Sequence, residues 1–189
     1  MARHKKEDSA EPVDEDPEAR ARQVCLTLLT FAPRTRAQLA VALRKRGIPE
    51  GVADEVLARF ADVGLIDDAA FARSWVESRH YSRGLAGRAL SAELKQRGVA
   101  ADEIRAALDE QLSPDAEIAA ARRLVERRIP ATRGLPADQR TRRLAGMLAR
   151  KGYPPGLAYR VIREALEAEG ESAALGDEPS FDYEDSDTE

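Results

Sequence analysis

Aromatic residues, histidine and cysteine are scarce in this sequence, and their scarcity excludes several classes of function. Aromatics make up 5% of the 189 residues, and the chain has two histidines and one cysteine, Cys25. One cysteine excludes an intramolecular disulfide, and two histidines, His4 and His80, cannot supply a conventional metal site or catalytic triad. No glycine-rich phosphate loop followed by lysine is present. We therefore expect no catalytic residues, no metal and no cofactor.

Long apolar runs are missing as well. No stretch is apolar and long enough to span a membrane. The basic residues near the N-terminus are followed by an acidic stretch rather than by the apolar one of a secretory signal. Together with the lack of disulfides, this pattern predicts a cytoplasmic protein.

Charge is distributed unevenly along the chain. Residues 1–18 hold three basic and seven acidic side chains, and residues 167–189 hold ten acidic and no basic ones. The net charge of −4 therefore leaves +10 on residues 19–166. A basic body favours a polyanionic partner, whereas acidic ends repel one. Because neither end has an apolar period, residues 1–18 and 169–189 are predicted to be disordered.

Helix-forming residues dominate the body, and helix start signals recur along it. Alanine, leucine, arginine and glutamate are abundant there, and they lose little side-chain freedom in a helix. Thr35 and Gln38 have the spacing of a capping box. Asp67 predicts an N-cap, and Ser113 followed by Pro114 predicts another helix start. No alternating run of β-branched residues indicates a strand.

A pattern of two leucines and a glycine occurs three times. The copies share one spacing and consist of Leu39, Leu43 and Gly47, then Leu90, Leu94 and Gly98, then Leu144, Leu148 and Gly152. The three glycines lie 51 and 54 residues apart, a period that indicates structural repeats. One apolar helix precedes each copy and another follows it. The pattern therefore predicts nine helices in three copies of a three-helix unit.

The predicted fold class is all-α, with three tandem three-helix repeats forming an elongated curved array and disordered acidic tails. A unit of about fifty residues buries too little surface to be stable alone, so linked copies are expected to pack on one another. The predicted segments are an N-terminal tail (1–18), repeats at 19–66, 67–112 and 113–168, and a C-terminal tail (169–189).

Basic side chains are predicted to cover the outer faces of several helices. At about 100° per residue, Arg123 and Arg127 point away from the apolar stripe of Ile118, Val125 and Ile129, and Arg122 and Arg128 lie on the flanks. Arginine suits a polyanionic partner because its planar fork pairs with phosphate or carboxylate. The candidate partner-binding or nucleic-acid-binding residues are Arg79, Arg83, Arg88, Lys95, Arg122, Arg123, Arg127, Arg128, Arg142, Arg143 and Arg150.

These basic residues also have a plainer interpretation. Arg46, Arg97 and Lys151 stand at predicted helix C-termini, where a cation offsets the helix dipole by about 0.3–1 kcal/mol. We favour that role for these three. A solvated surface is the alternative for the outer arginines. Residues 116–166, however, hold twelve basic and four acidic side chains, too few carboxylates for neutralisation.

An ordered set of residues occupies positions 64–98. It comprises Gly64-Leu65-Ile66-Asp67-Asp68, Phe71-Ala72 and Trp75, followed by Arg79, Gly84, Arg88, Leu94 and Gly98. This combination resembles the central signature of the RecX family. The resemblance implies three tandem three-helix repeats and a regulator, expected to be a monomer, that binds the RecA filament on single-stranded DNA and lies in its groove. It also implies inhibition of the recombinase, ATPase and coprotease activities of RecA in DNA repair, recombination and the SOS response, with DNA itself as a further partner.

A stand-alone DNA-binding protein or transcription regulator is the alternative. The helices joined at Gly47, Gly98 and Gly152 have the spacing of a helix-turn-helix. The helix after each glycine, however, is mostly alanine, valine, leucine and acidic residues, and lacks polar side chains to read base edges. A purely structural adaptor would have no use for the +10 body. Phe71 and Trp75, one helical turn apart, are interpreted as core residues, with base stacking as the alternative.

Overall fold

The structure is a computed structural model that describes residues 16–170, and its regular elements in that range are all helical. The helices are α1 (Pro17–Phe31), α2 (Arg36–Arg44), α3 (Glu50–Asp62), α4 (Asp68–Arg83), α5 (Gly87–Gln96), α6 (Ala101–Gln111), α7 (Pro114–Arg128), α8 (Ala137–Arg150) and α9 (Pro155–Ala168). A 3-10 turn, Ile129–Thr132, follows α7 directly. The predicted all-α class is confirmed, whereas the tail predictions for residues 1–15 and 171–189 fall outside the described residues.

The helices begin where the local signals predict. Thr35 and Gln38 form a reciprocal capping box, each side chain accepting from the other's backbone N–H at 3.2 Å. Ser113 caps α7 by accepting the N–H three residues on at 3.1 Å, with Pro114 in the first turn. The Asp67 carboxylate accepts the corresponding N–H of α4 at 2.7 Å. These bonds satisfy N–H groups that have no partner within the helix.

The described chain divides into two compact units. The first comprises the residues up to Trp75 together with Leu94–Ala107. In it α1, α2 and α3 pack on one another around a core of Ala21, Cys25, Leu39, Leu43, Ile48, Ala53, Val56, Leu57, Phe60 and Ile66. Cys25 is a buried member of this core, and burial raises the pKa of its thiol.

The second unit comprises Val76–Glu93 together with the residues from Leu108 onward. Here α7, α8 and α9 pack on one another. Their core consists of Ala86, Ala121, Leu124, Val125, Ile129, Leu144, Leu148, Tyr153, Ala158, Val161, Ile162 and Leu166. The helices of the middle repeat, α4, α5 and α6, are each divided between the two units.

The carbonyl oxygen of the residue before Gly98, and of the residue before Gly152, accepts a hydrogen bond from the preceding repeat. We call this hydrogen bond the joint between two repeats. In the first unit the Thr35 hydroxyl donates to the carbonyl oxygen of Arg97 at 2.6 Å. In the second unit the backbone N–H of Ala86 donates to the carbonyl oxygen of Lys151 at 2.9 Å. Thr35 and Ala86 each stand twelve residues before the glycine of their own repeat. The same position therefore makes the same joint twice, with a hydroxyl in one case and a backbone amide in the other.

The first and the third repeat have different arrangements at the corresponding positions. In the first repeat the carbonyl oxygen of Arg46 accepts from the Arg20 guanidinium of α1 at 2.7 Å. In the third repeat the residue twelve positions before Gly152 is Arg140, which lies inside α8 and donates its backbone N–H to the carbonyl oxygen of Pro136. Its side chain is fully buried and bonds to Thr132 and Glu169. The carbonyl oxygen of Arg46 is thus bonded by an arginine of its own repeat, whereas position 140 of the third repeat is a helix-interior position that holds a buried, paired arginine.

The repeat glycines permit these joints because they have no side chain. Gly98 and Gly152 have φ values of 79° and 89°, in the left-handed region that favours glycine. A Cβ atom on Gly98 would collide with Ala37, and one on Gly152 would collide with Ala89. Gly47, at φ 73°, has nothing within 4 Å of such a Cβ. The glycines of the second and third repeats are therefore required for backbone conformation and for close approach.

Candidate nucleic-acid interface

Helix α7 presents a row of arginines on its outer face. Ala120, Ala121, Leu124 and Val125 are buried, while all four of its arginines are exposed. The predicted arginine face is exposed, whereas the buried stripe only partly matches the predicted one, because Ile118 is half-buried and Leu124 is buried instead. The exposed arginines are Arg122, Arg123, Arg127 and Arg128.

Helix α8 has the same division. Leu144 and Leu148 are buried, and Arg142, Arg143 and Arg150 are exposed. Seven residues separate Arg143 from Arg150, so they lie on one side of the helix. Within residues 16–170, no ion pair joins a carboxylate to Arg123, Arg127, Arg128, Arg142, Arg143 or Arg150. We call these six residues the unpaired arginine set.

The remaining predicted residues are in more varied surroundings. Arg88 and Lys95 are exposed on α5, with Arg88 in the second unit and Lys95 in the first. Arg79 is half-buried in α4 and takes part in an interaction, so it is not a free cation. Arg83, at the end of α4, is exposed and lies 3.6 Å from the carboxylate of Glu93.

Arg122 is the predicted residue most clearly used inside the protein. Its Nε and Nη2 atoms donate to one carboxylate oxygen of Glu164 on α9, at 3.3 and 2.9 Å. Arg122 and Glu164 also line a cavity of about 380 Å³ between α7 and α9, together with Glu126, Arg133 and Glu169. Three carboxylates and two guanidinium groups face this cavity, so it is not part of the cationic surface.

Lys151 joins two of the predicted arginines in one cationic cluster. Its ammonium group donates to the carbonyl oxygen of Arg83 at the end of α4. Burial lowers the pKa of Lys151, and the positive charges of Arg83 and Arg127 lower it further. The interpretation of Lys151 as a helix-dipole cation was therefore incomplete. We call Arg83, Arg127 and Lys151 the Lys151 cluster.

Tyr153, two residues after Lys151, connects this cluster to the core of the second unit. The phenol of Tyr153 is buried and donates to the carbonyl oxygen of Gly84 at 3.1 Å. Burial raises the pKa of Tyr153 to about 12, Glu117 raises it as well, and Arg123 opposes them. Bonds from Ala86, Lys151 and Tyr153 therefore tie the end of α4 to the end of α8.

Arg140 is a charged residue that the sequence interpretation missed. It is fully buried, and its guanidinium bonds to Glu169 and Thr132. Glu169 also accepts from Arg133 at 2.7 Å, and the hydrogen bonds from Arg140 and Arg133 lower the pKa of its carboxyl. Glu169 had been assigned to the disordered tail, but the structure shows it as the C-cap of α9. Proximity of opposite charges across 29 residues has no local sequence signal.

Trp75 and Phe71 are half-buried rather than fully enclosed, so the core interpretation holds only in part. Their rings stack with centroids 5.6 Å apart. The Arg97 guanidinium lies 3.7 Å from the Trp75 ring centre, a cation–π contact within the first unit. Arg97 therefore packs on an aromatic ring in addition to standing at a helix C-terminus.

The fold and these surfaces define a helical-repeat protein with strongly cationic outer faces. Among the helices that the structure describes, none is long and apolar enough to cross a membrane. The same residues contain no group of three or more histidine, cysteine or acidic side chains placed to hold a metal ion.

Three domain families match the sequence in order. They are described as the first, second and third three-helix domains of RecX, and they match residues 21–60, 67–108 and 115–162. Regulatory protein RecX of Thermobifida fusca is 64% identical over 156 residues, covering 82% of this chain and 84% of the relative. Regulatory protein RecX of Streptomyces coelicolor is 61% identical over 164 residues, covering 86% and 87%. The chain belongs to the RecX family of regulatory proteins.

Solved structures of this family have the same fold. A crystal structure of regulatory protein RecX is 25% identical, with a TM-score of 0.71, covering 79% of this chain and 72% of that one. RecX from Lactobacillus salivarius, at 19% identity, matches with a TM-score of 0.73 and coverages of 79% and 97%. The latter likeness concerns the fold alone.

Proposed function

We propose that this protein binds the RecA filament on single-stranded DNA in the cytoplasm and inhibits its recombinase, ATPase and coprotease activities during DNA repair, recombination and the SOS response. Membership of the RecX family supports a regulatory role. The observation that carries the proposed contact is the unpaired arginine set, six exposed arginines on α7 and α8 without a carboxylate partner among residues 16–170.

These six arginines have no carboxylate among residues 16–170 to compensate their charge. An exposed arginine paired with a carboxylate is already compensated, whereas an unpaired one gains when it reaches a phosphate or an acidic protein surface. Each contact with DNA phosphate also releases condensed counterions, so binding should weaken steeply as salt rises. Several weak contacts on one chain add through effective concentration and do not need a deep pocket.

Inhibition would follow from occupying the filament groove. A protein bound there by phosphate and acidic-surface contacts excludes the second DNA duplex that recombination requires. If it binds one nucleotide state of the filament more tightly than another, it also shifts the balance between them, since a ligand biases states only by differential affinity. The contact residues predicted from the sequence that lie outside the unpaired arginine set are also part of this proposal, namely Arg79, Arg83, Arg88, Lys95 and Arg122.

The test is RecA-dependent ATP hydrolysis on single-stranded DNA with this protein titrated in. The variant with Arg123, Arg127, Arg143 and Arg150 all replaced by alanine should keep its helicity, because alanine is the best helix former. Its inhibitory titration should shift to roughly tenfold or higher concentration, as expected for the loss of several charge-assisted contacts of about 1 kcal/mol or less each.

A matched variant separates a defined surface from total charge. Replacing Arg44, Arg105, Arg160 and Arg163 by alanine removes the same charge from other exposed helical positions. Equal loss of inhibition in both variants would contradict the assignment of the interface to α7 and α8. Sequence-specific shifts of duplex DNA without any effect on RecA would instead support a stand-alone DNA-binding protein.

A further inference from the structure

The Lys151 cluster brings cations from three separate elements to one place in the second unit. Arg83 ends α4, Arg127 stands in the last turn of α7, and Lys151 caps α8. The side chain of Leu124, one turn before Arg127, lies directly beside Gly84, which follows Arg83, so α7 meets the end of α4 at this point. The backbone at Lys151 is held by the N–H of Ala86, and its ammonium is held by the Arg83 carbonyl oxygen. These bonds fix the ammonium group without neutralising its charge.

Lys151 and Arg127 each have N–H groups that can donate further hydrogen bonds. An ammonium group has three N–H donors, and among the described contacts of Lys151 one is used, on a carbonyl oxygen. The Nε of Arg127 donates to the carbonyl oxygen of Arg123 at 3.3 Å, which orients the guanidinium and leaves its other N–H groups for an acceptor. Arg83 is only partly compensated, because its distance of 3.6 Å to Glu93 exceeds that of a charged hydrogen bond.

The electrostatics of the cluster favours the approach of an anion. Burial, Arg83 and Arg127 all lower the pKa of Lys151, and no carboxylate among residues 16–170 acts on that pKa in the opposite direction. The fold therefore holds like charges together at a free-energy cost that an anion between them would relieve.

We propose that Arg83, Arg127 and Lys151 form one binding site for a phosphodiester group of a nucleic-acid backbone. A phosphodiester presents two free oxygens on a tetrahedral centre to donors arriving from different directions. A carboxylate is planar and best suits a single arginine fork. Cations on three elements, one of them a lysine acting as a point charge, match the phosphate better. The site rests on the proposed function and specifies the partner chemistry within it.

The experiment measures binding of a fluorescent thymidine oligonucleotide across a range of salt concentrations. Neutralising one phosphate of single-stranded DNA contributes about 0.7 to the slope of log K against log salt. Lys151→Gln and Arg127→Gln should each weaken binding several-fold. In the double variant, the slope of log K against log salt should become less steep by about 0.7 in total. A drop of about 1.4 would mean that they contact two separate phosphates, which would overturn the single site.

Two control variants distinguish loss of the phosphate site from loss of folding and from loss of total positive charge. Lys151→Arg should restore most of the affinity, because it keeps the charge. Arg163→Gln on the exposed surface of α9 removes one charge elsewhere and should leave the slope unchanged. If Lys151→Gln loses helicity, Arg127→Gln, at an exposed position, carries the test alone. No change in Arg127→Gln overturns the proposal.

Filament inhibition measured on the same variants separates this proposal from the proposed function. Normal inhibition by Arg127→Gln and Lys151→Gln, with unchanged oligonucleotide binding, removes the phosphate site and leaves the filament role intact. Lost oligonucleotide binding, in a wild-type protein that never inhibits RecA, removes the filament role and leaves the phosphate site. Reduced inhibition with unchanged oligonucleotide binding would assign the cluster to an acidic protein surface, and so would also overturn the phosphate site.

Discussion

Arg140 shows how a single buried charge depends on its partners. Its side chain has 0% exposure, so the guanidinium has no water to solvate it. Glu169 and Thr132 supply the acceptors instead. Removing one partner of a buried pair is more damaging than removing both, because it leaves an uncompensated charge in a medium of low polarity.

We expect Glu169→Gln to lower the free energy of unfolding, because it removes the negative charge that compensates buried Arg140. The double variant Glu169→Gln with Arg140→Met should be more stable than Glu169→Gln alone. Arg133→Gln is the matched control, since it removes the exposed partner of the same carboxylate and should change stability by less than about 1 kcal/mol. Urea unfolding followed by circular dichroism gives all three values. A double variant less stable than the single would contradict this account.

The same carboxyl predicts an acid dependence. Hydrogen bonds from Arg140 and Arg133 lower the pKa of Glu169 in the folded protein. Its contribution is therefore complete above the unfolded value of about 4.3, and is lost as pH falls through the lower folded pKa. Glu169→Gln should lower the melting temperature at about pH 7. The gap between variant and wild type should narrow in acid, and a gap that stays constant would show that the carboxylate charge is not involved.

Residue roles were predictable from the sequence where the signal is local. The caps at Thr35, Asp67 and Ser113 follow from neighbours within three residues, and the structure confirms them. Arg140 was missed because its acceptors are brought to it by the 3-10 turn and by the end of α9. Lys151 was understood only as a helix end, because its neighbours Arg83 and Arg127 arrive from other helices.

At the scale of helical elements, the joint beside each repeat glycine is the recurrent feature. Counting residues from the glycine locates the joint, but the groups that form it differ between Thr35 and Ala86. The sequence therefore reveals the repeat through its leucines and glycines, which keep their identity. The hydrogen bond between repeats has no such signature, because either a side-chain hydroxyl or a backbone N–H can donate to the carbonyl oxygen.

We expect Gly152→Ala to destabilise the protein by about 2–5 kcal/mol, combining the cost of a left-handed residue with that of overpacking against Ala89. Gly47→Ala is the control, because its φ of 73° is similar but its added Cβ would meet nothing within 4 Å. That variant should lose only about 1–2 kcal/mol. Equal losses in urea unfolding would show that the close approach at Gly152 contributes nothing.

At the scale of the whole molecule, the separation of charge between body and C-terminal segment is the main feature. Residues 171–189 hold eight acidic and no basic side chains, so the formal charge of −4 becomes +4 without them. Sequence composition alone gives this separation. Where the body's cations lie, and which of them pair internally as Arg122 does with Glu164, required the structure.

Deleting residues 171–189 should strengthen binding of a thymidine oligonucleotide several-fold at low salt, because the acidic segment repels or competes with phosphate. The difference should shrink as salt screens the charges. A chain of full length with its eight acidic residues replaced by Asn or Gln should behave like the deletion if charge is the cause. The truncation must stop after Gly170, since Glu169 is needed by Arg140. Unchanged binding at low salt would exclude any screening by this segment.

The residue twelve positions before each repeat glycine bears on which repeat of this chain could be copied in tandem. Duplicating a three-helix segment within the chain would copy a joint whose donor, Thr35 or Ala86, is compatible with a following repeat. In the third repeat the counterpart is Arg140, whose guanidinium bonds to Thr132 and Glu169 and whose backbone N–H bonds to Pro136 within α8. A copy of the third repeat would therefore supply no donor from this position to a repeat placed after it, whereas a copy of the first or second repeat would supply one.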